Sequence, residues 1–234
     1  MGKSSSLDAT TLQALADAVV TLDPQPRQRR WVSLALCVAD AVWSIGAHYD
    51  NVVTPLVRNL AKKFGVTEPT VPGSQPFTTD PLPLKQLAAL SVDELTALTN
   101  HQRTSTRGGI LKSDATLRHC NVFLDHAVNS LDDIPGLFAD AERFAAVDKA
   151  LRSIPGEGGH GIRRNYLWMV VGQDDLIKPD RMVLRWFSRQ GVNVDPAGAR
   201  DAIAALVPLV SAGLGHAVTP WEIDHAMWQS ARSR

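Results

Sequence analysis

Only two cysteines occur in the 234 residues, Cys37 and Cys120, far apart and each inside a helical pattern. With no Cys-x-x-Cys pair and no Cys/His cluster, a disulfide framework, a structural zinc and an iron–sulfur centre are excluded, and both thiols are expected buried and reduced. No apolar run approaches the roughly eighteen residues of a membrane span, and the first residues lack the apolar core of a secretory signal. The expectation is therefore a cytoplasmic, monomeric protein with no membrane partner. Neither sign of charge is in excess. Lys plus Arg and Asp plus Glu both number 24, for a formal net charge of 0, whereas nucleic-acid binders are usually basic. No stretch alternates strictly enough to argue for a strand. A Ser-His-Asp order, a metal motif and a nucleotide-binding glycine fingerprint are also lacking, so no metal or organic cofactor is expected.

What remains is helix. Hydrophobic residues make up 44% and charged residues 21%, the balance of an ordinary folded domain rather than a disordered chain. Apolar positions recur at helical spacing over Leu12 to Val20, over Trp31 to Ile45 (apolar nearly all round, so a buried helix), and from Tyr49 through Phe64 to a stop at Gly65. Five prolines and Gly73 between 67 and 83 read as a long surface loop. Ser91 and Glu94 have the spacing of a capping box. Further helices are predicted from Lys112, over Ala139 to Ile154, His160 to Val171, Asp180 to Arg189, Pro196 to Ala212 and Thr219 to Ser230. The fold class predicted is all-α, with about ten helices.

Two features carry chemistry. Between two of these helices lies Ile154-Pro155-Gly156-Glu157-Gly158-Gly159-His160-Gly161. Glycines allow positive φ and let a ligand approach the backbone, and the following helix offers unbonded N–H groups and a positive dipole end suited to a phosphate. A turn between packed helices with no ligand is the alternative. About twenty residues on, Pro179-Asp180-Arg181 opens another helix. Asp180 is placed either as a helix cap or as a carboxylate set against a sugar. From Arg152 to Arg189 seven basic residues face four acidic ones, a local +3 on a neutral chain. In the C-terminal stretch, His225 with Asp224 or Glu222 reads as a solvated face.

The hairpin-plus-aspartate pair resembles the helix-hairpin-helix superfamily of base-excision DNA glycosylases, the group of endonuclease III and the 3-methyladenine glycosylases. That family's hairpin reads apolar-Pro-Gly-apolar-Gly, followed by a helix, a loop and a helix that starts with the catalytic aspartate. Here Ile154-Pro155-Gly156-Glu157-Gly158, the helix Tyr166 to Val171 and Pro179-Asp180-Arg181 take those places. Trp43-Ser44-Ile45-Gly46-Ala47 and Leu111-Lys112-Ser113-Asp114-Ala115 resemble upstream segments more loosely, so that the likeness covers about residues 30 to 190.

The resemblance implies a two-lobed glycosylase-like fold. One lobe would span about 45–171 with the hairpin at 154–161; the other would combine 1–44 with 172–234. It implies DNA as partner, bound through Gly156, Gly158, Gly159, Gly161, Arg163, Lys178 and Arg181, with Asp180 and His160 catalytic and His48, Tyr49 and Trp43 as base pocket or wedge. Three departures stand out. Glu157 replaces a small apolar residue, His160 stands where bifunctional members carry lysine, and the cysteine cluster of one branch is missing. An imidazole is not expected to form a Schiff base, so simple hydrolysis of the N-glycosidic bond is implied rather than strand cleavage. A catalytically inactive DNA-binding relative and a helical protein-interaction domain are the alternatives.

Overall fold

The computed structural model describes residues 7–157 and 161–232. Helix accounts for 60% and strand for 4%, so the chain is all-α, as its periodicity predicts. Its first helices are α1 (Ala9–Val20), α2 (Leu34–Trp43), α3 (Thr54–Lys63), α4 (Leu84–Ala88), α5 (Val92–Leu98) and α6 (Lys112–Asp125). They are followed by α7 (Ile134–Ala139), α8 (Ala141–Arg152), α9 (Ile162–Val170), α10 (Arg181–Arg189), α11 (Pro196–Leu214) and α12 (Pro220–Arg232). Two compact units result. One runs from Arg29 to Val171, and the other joins residues up to Gln28 with those from Gly172 onward. The amino-terminal division thus falls at Gln28 rather than 44, because α2 is buried among the helices of the Arg29–Val171 unit.

Within that unit α2 is the centre. All ten of its residues are buried, and it packs against α6 and α9. Leu34, Leu36, Val38 and Val42 are completely enclosed, each worth roughly 2 kcal/mol of transfer free energy. Ser33 caps the helix by accepting the Ala35 amide at 3.1 Å. A second acceptor comes from Asp80, whose carboxylate takes the amides of Leu34, Leu82 and Leu131 at 2.8, 2.9 and 3.1 Å. The proline-rich stretch predicted as a surface loop is therefore stitched into the core at that residue.

It also supplies a strand. β1 (Arg29–Trp31) and β2 (Thr70–Pro72) pair antiparallel, Arg30 opposite Val71. Three residues are too few for a period of two to stand out in sequence, and Trp31 consequently lies in β1 rather than in the helix predicted from it. On α6, the buried ammonium of Lys112 donates to the carbonyls of Trp43 and Ile45 and to Gln102 Oε1 at 3.0, 2.7 and 2.9 Å. This ties the end of α2 to the start of α6. Burial, and secondarily Arg163, bring the Lys112 amine down to about 8.

The other unit packs α1 on α11 and α10 on α12. Leu15, Val19, Val183, Phe187, Ile203, Leu206, Ile223 and Met227 form its core. Contact between α1 and α11 is close at Gly213, where a β-carbon would come 2.8 Å from Val20 Cγ2. By length and composition α11 is apolar enough to cross a membrane; here Ala199, Ile203, Leu206 and Val210 give it a buried face.

Candidate functional site

The glycine-rich segment 153–161 joins α8 to α9 in the Arg29–Val171 unit. Ile154 is buried, and the Glu157 amide closes the turn onto its carbonyl at 3.2 Å. Gly156 has φ of +93° and lies against Thr104, so close that a β-carbon would come 2.3 Å from Thr104 Oγ1. Gly161 has φ of +63° and caps α9 without a side chain. Glu157 supplies the missing cap. Its Oε1 accepts the Arg164 amide at 3.0 Å, satisfying a donor of the first turn from seven residues upstream. Gly158, Gly159 and His160, expected at the phosphate and in catalysis, lie outside the described residues.

Beneath this turn is a buried charge network. Arg163 Nε is 3.8 Å from Glu157 Oε2, and Arg163 Nη2 donates to the Gly156 carbonyl. Arg164 Nε binds Asp148 Oδ1 at 2.7 Å, the same oxygen that accepts Trp168 Nε1 at 2.9 Å. Burial pushes the Glu157 carboxyl up, against the pull of Arg163 and Arg164, and burial lowers the Arg163 guanidinium to about 10. Arg163, a sequence-predicted phosphate contact, is only 4% exposed. Its charge meets Gly156 and Glu157 from inside, because it sits one turn before Leu167 on the packed face of α9.

The residues expected as pocket or wedge separate. Trp43 is completely buried, with its Nε1 on Asn100 Oδ1 at 3.2 Å, so it is core. His48 is exposed and accepts the Asn51 amide at 3.4 Å, capping the short π-helical turn Tyr49–Val53 that leads into α3. Tyr49 is half-buried and its hydroxyl donates to Asp40 Oδ2 at 2.8 Å. Trp31 Nε1 binds the same oxygen at 2.6 Å, and Tyr166 OH binds Oδ1 at 3.0 Å. Asp40 thus collects both tyrosines of the chain. Burial first, and the Asp40 charge next, raise both phenols well above their ordinary range.

Asp180 belongs to the other unit. It caps α10, Oδ1 accepting the amides of Met182 and Val183 at 2.7 and 3.4 Å. Its second oxygen, Oδ2, is 4.0 Å from Lys178 Nζ, and its side chain is 23% exposed. One oxygen of this aspartate caps, and the other faces the half-buried ammonium of Lys178. Lys178 is gripped from behind as well, because its amide donates to Asp224 Oδ1 at 3.1 Å.

Asp224 is a residue that sequence reasoning placed on a solvated face. It is 4% exposed. Burial, then the Asp180 carboxylate, push its carboxyl well above the usual range. A signal existed: Trp221, Asp224, Met227 and Ala231 share the buried face of α12. His225 is likewise not simply solvated. Its ring stacks on Trp221 and Trp228 at 4.7 and 6.0 Å, with Arg27 over Trp221 and Arg232 over Trp228. Burial and the two arginines bring this imidazole down to about 4. Glu222 pairs with Thr219 in a reciprocal cap at 2.8 and 3.2 Å.

The solvent side of α10 completes the picture. Arg181, Arg185 and Arg189 are all exposed and follow one another at four-residue spacing, while Val183, Trp186 and Phe187 face the core. Three cations thus form a stripe that begins beside Asp180. Arg181 was expected to contact DNA; Arg185 and Arg189 join it through helical geometry. Both cysteines are buried and neither is in a disulfide.

Over residues 10–232 the chain matches the family described as a domain of unknown function, DUF8548, and belongs to it. No curated protein and no solved structure matches it.

Proposed function

We propose that this member of the family is a helix-hairpin-helix DNA-binding protein that hydrolyses the N-glycosidic bond of a modified base, with Asp180 as its catalytic carboxylate. The observation carrying this reading is the pairing of Asp180 with buried Asp224 around Lys178. Two carboxyls whose environments differ in this way are a frequent arrangement where charge must be handled in a reaction. Asp224 holds the backbone of Lys178, Lys178 faces Asp180 Oδ2, and the first amides of α10 hold Oδ1. An aspartate so anchored needs no reorganisation to stabilise positive charge growing on a sugar.

In the reaction the bond from C1′ to the base nitrogen breaks with its electron pair leaving on the base. Water then adds its oxygen to C1′, where one of its protons stays on the new hydroxyl, and the other proton ends on the departing base. Base extrusion precedes this step. Phosphate binding is supported by the hairpin, where Glu157 points inward and so leaves the turn without an outward carboxylate, and by the α10 arginine stripe.

The test is incubation with duplex and single-stranded DNA carrying a panel of damaged bases, then alkali to reveal abasic sites. Asp180→Asn is expected to lower activity roughly 10²–10³-fold while DNA binding survives. Undiminished activity in this variant would falsify the mechanism. The capping role of Asp180 Oδ1 favours one second reading, a DNA-binding relative without catalysis. It predicts binding with no abasic product from any substrate.

A further inference from the structure

A pocket of about 670 Å³ opens in the Arg29–Val171 unit, between α3 and the segment that runs from it into β2. Its cations are Arg58 and Lys62, one turn apart on α3, and Arg29 of β1; Glu68 is the acidic residue of the lining. Arg29 is already braced, donating from Nε and Nη2 to Thr70 Oγ1 at 3.0 and 2.8 Å and from Nη2 to the Thr70 carbonyl at 3.0 Å. Arg58 and Lys62 are different. Both are exposed, and among the described residues neither side chain makes a hydrogen bond or an ion pair, Glu68 included.

Like charges at this helical spacing repel. The helix dipole offsets that cost for cations in a last turn, which accounts for Lys62 and Lys63. It does not account for Arg58, in the middle of the ten-residue helix. An anion between Arg58 and Lys62 would remove the repulsion. Beside the polar Asn59, Thr67 and Thr70, the lining carries two apolar residues, Val66, which is buried, and Pro69, which is half-buried. A charged rim over an apolar wall, with a volume inside the about 300–1,000 Å³ of small-ligand sites, suits a ligand with an anionic end and an apolar body.

We infer that this pocket binds a phosphate-bearing ligand of nucleotide size, its phosphate between Arg58 and Lys62 and its ring on Val66 and Pro69. The ligand is either a free nucleotide or the phosphorylated end of a strand. Nothing in this inference depends on Asp180 or on the hairpin, so it stands or falls separately from the glycosylase reading.

Calorimetric titration of the full chain with AMP, adenosine and inorganic pyrophosphate tests it. AMP should bind saturably, pyrophosphate more weakly, and adenosine not detectably. The double variant Arg58→Ala/Lys62→Ala should lose at least about tenfold in AMP affinity, because two charges leave the rim. Glu68→Gln should gain about threefold, because a repulsive charge leaves it. All three positions are exposed, and thermal unfolding of each variant verifies the fold. Competition with a 5′-phosphorylated oligothymidylate separates the two sources: displacement of AMP assigns the pocket to a strand end, and no displacement assigns it to a free nucleotide. The inference is overturned if AMP does not saturate, if the double variant binds like the wild type, or if adenosine or pyrophosphate binds as tightly as AMP.

Discussion

Glu157 stands in an apolar-Pro-Gly-x-Gly turn, and its carboxylate lies inside the protein, on the Arg164 amide and near two guanidinium groups. By residue type it puts a carboxylate where the resemblance implies a small apolar residue; in three dimensions it caps α9. Removing one member of a buried ion pair leaves the other charge uncompensated, typically at about 3–5 kcal/mol. Glu157→Ala is accordingly expected to destabilise the protein by that order in denaturant unfolding. Glu157→Gln keeps an acceptor for the Arg164 amide and should cost less. An unchanged midpoint in Glu157→Ala would show that the network does not hold the hairpin. The inward turn of Arg163 was partly legible, since Arg163 and Arg164 stand four residues before Leu167 and Trp168. Nothing local, however, names Gly156 and Glu157 as the partners that make burial of arginine tolerable.

At the scale of elements, α12 gives the clearest case of spacing outranking residue type. Asp224 is an ionisable residue, yet its place one turn from Trp221 and Met227 puts it on the apolar face. A carboxyl whose folded pKa is raised contributes stability that is complete below its unfolded value, about 3.9, and that is lost as pH rises through the folded value. Asp224→Asn removes this dependence. From about pH 4 to pH 8 the wild type should lose more stability than the variant does, as read from unfolding midpoints across pH. Parallel profiles would argue that Asp224 stays ionised in the folded protein. Caps were more readily legible than such pairings. The box at Ser91 and Glu94 is present with both bonds, and Asp180 caps α10 where its sequence context placed it. The two strands were missed because three residues of pairing leave no periodic trace.

For the whole molecule, a net charge of 0 means that no net monopole gathers an anionic polymer, so the proposed DNA binding would rest on local stripes. If Arg181, Arg185 and Arg189 each meet one phosphate, the slope of log affinity against log salt for duplex DNA is expected to be roughly −3. Fluorescence anisotropy over about 50 to 200 mM salt measures it. Replacing the three arginines with alanine should bring the slope close to zero; a slope that does not move would place the phosphate contacts elsewhere. The all-α class, the longer helices, the glycine turn and the cap at Asp180 were determined by the sequence alone, because periodicity, capping chemistry and glycine's freedom at positive φ are local properties; α4 and α7, at five and six residues, are too short to leave a periodic trace. The tertiary structure alone decided that Arg163 is buried and Glu157 turned inward, that Asp224 backs Lys178 and Asp180, and that Arg58 and Lys62 rim a pocket. Burial and charge pairing arise between residues distant in the chain, and no window of sequence contains them.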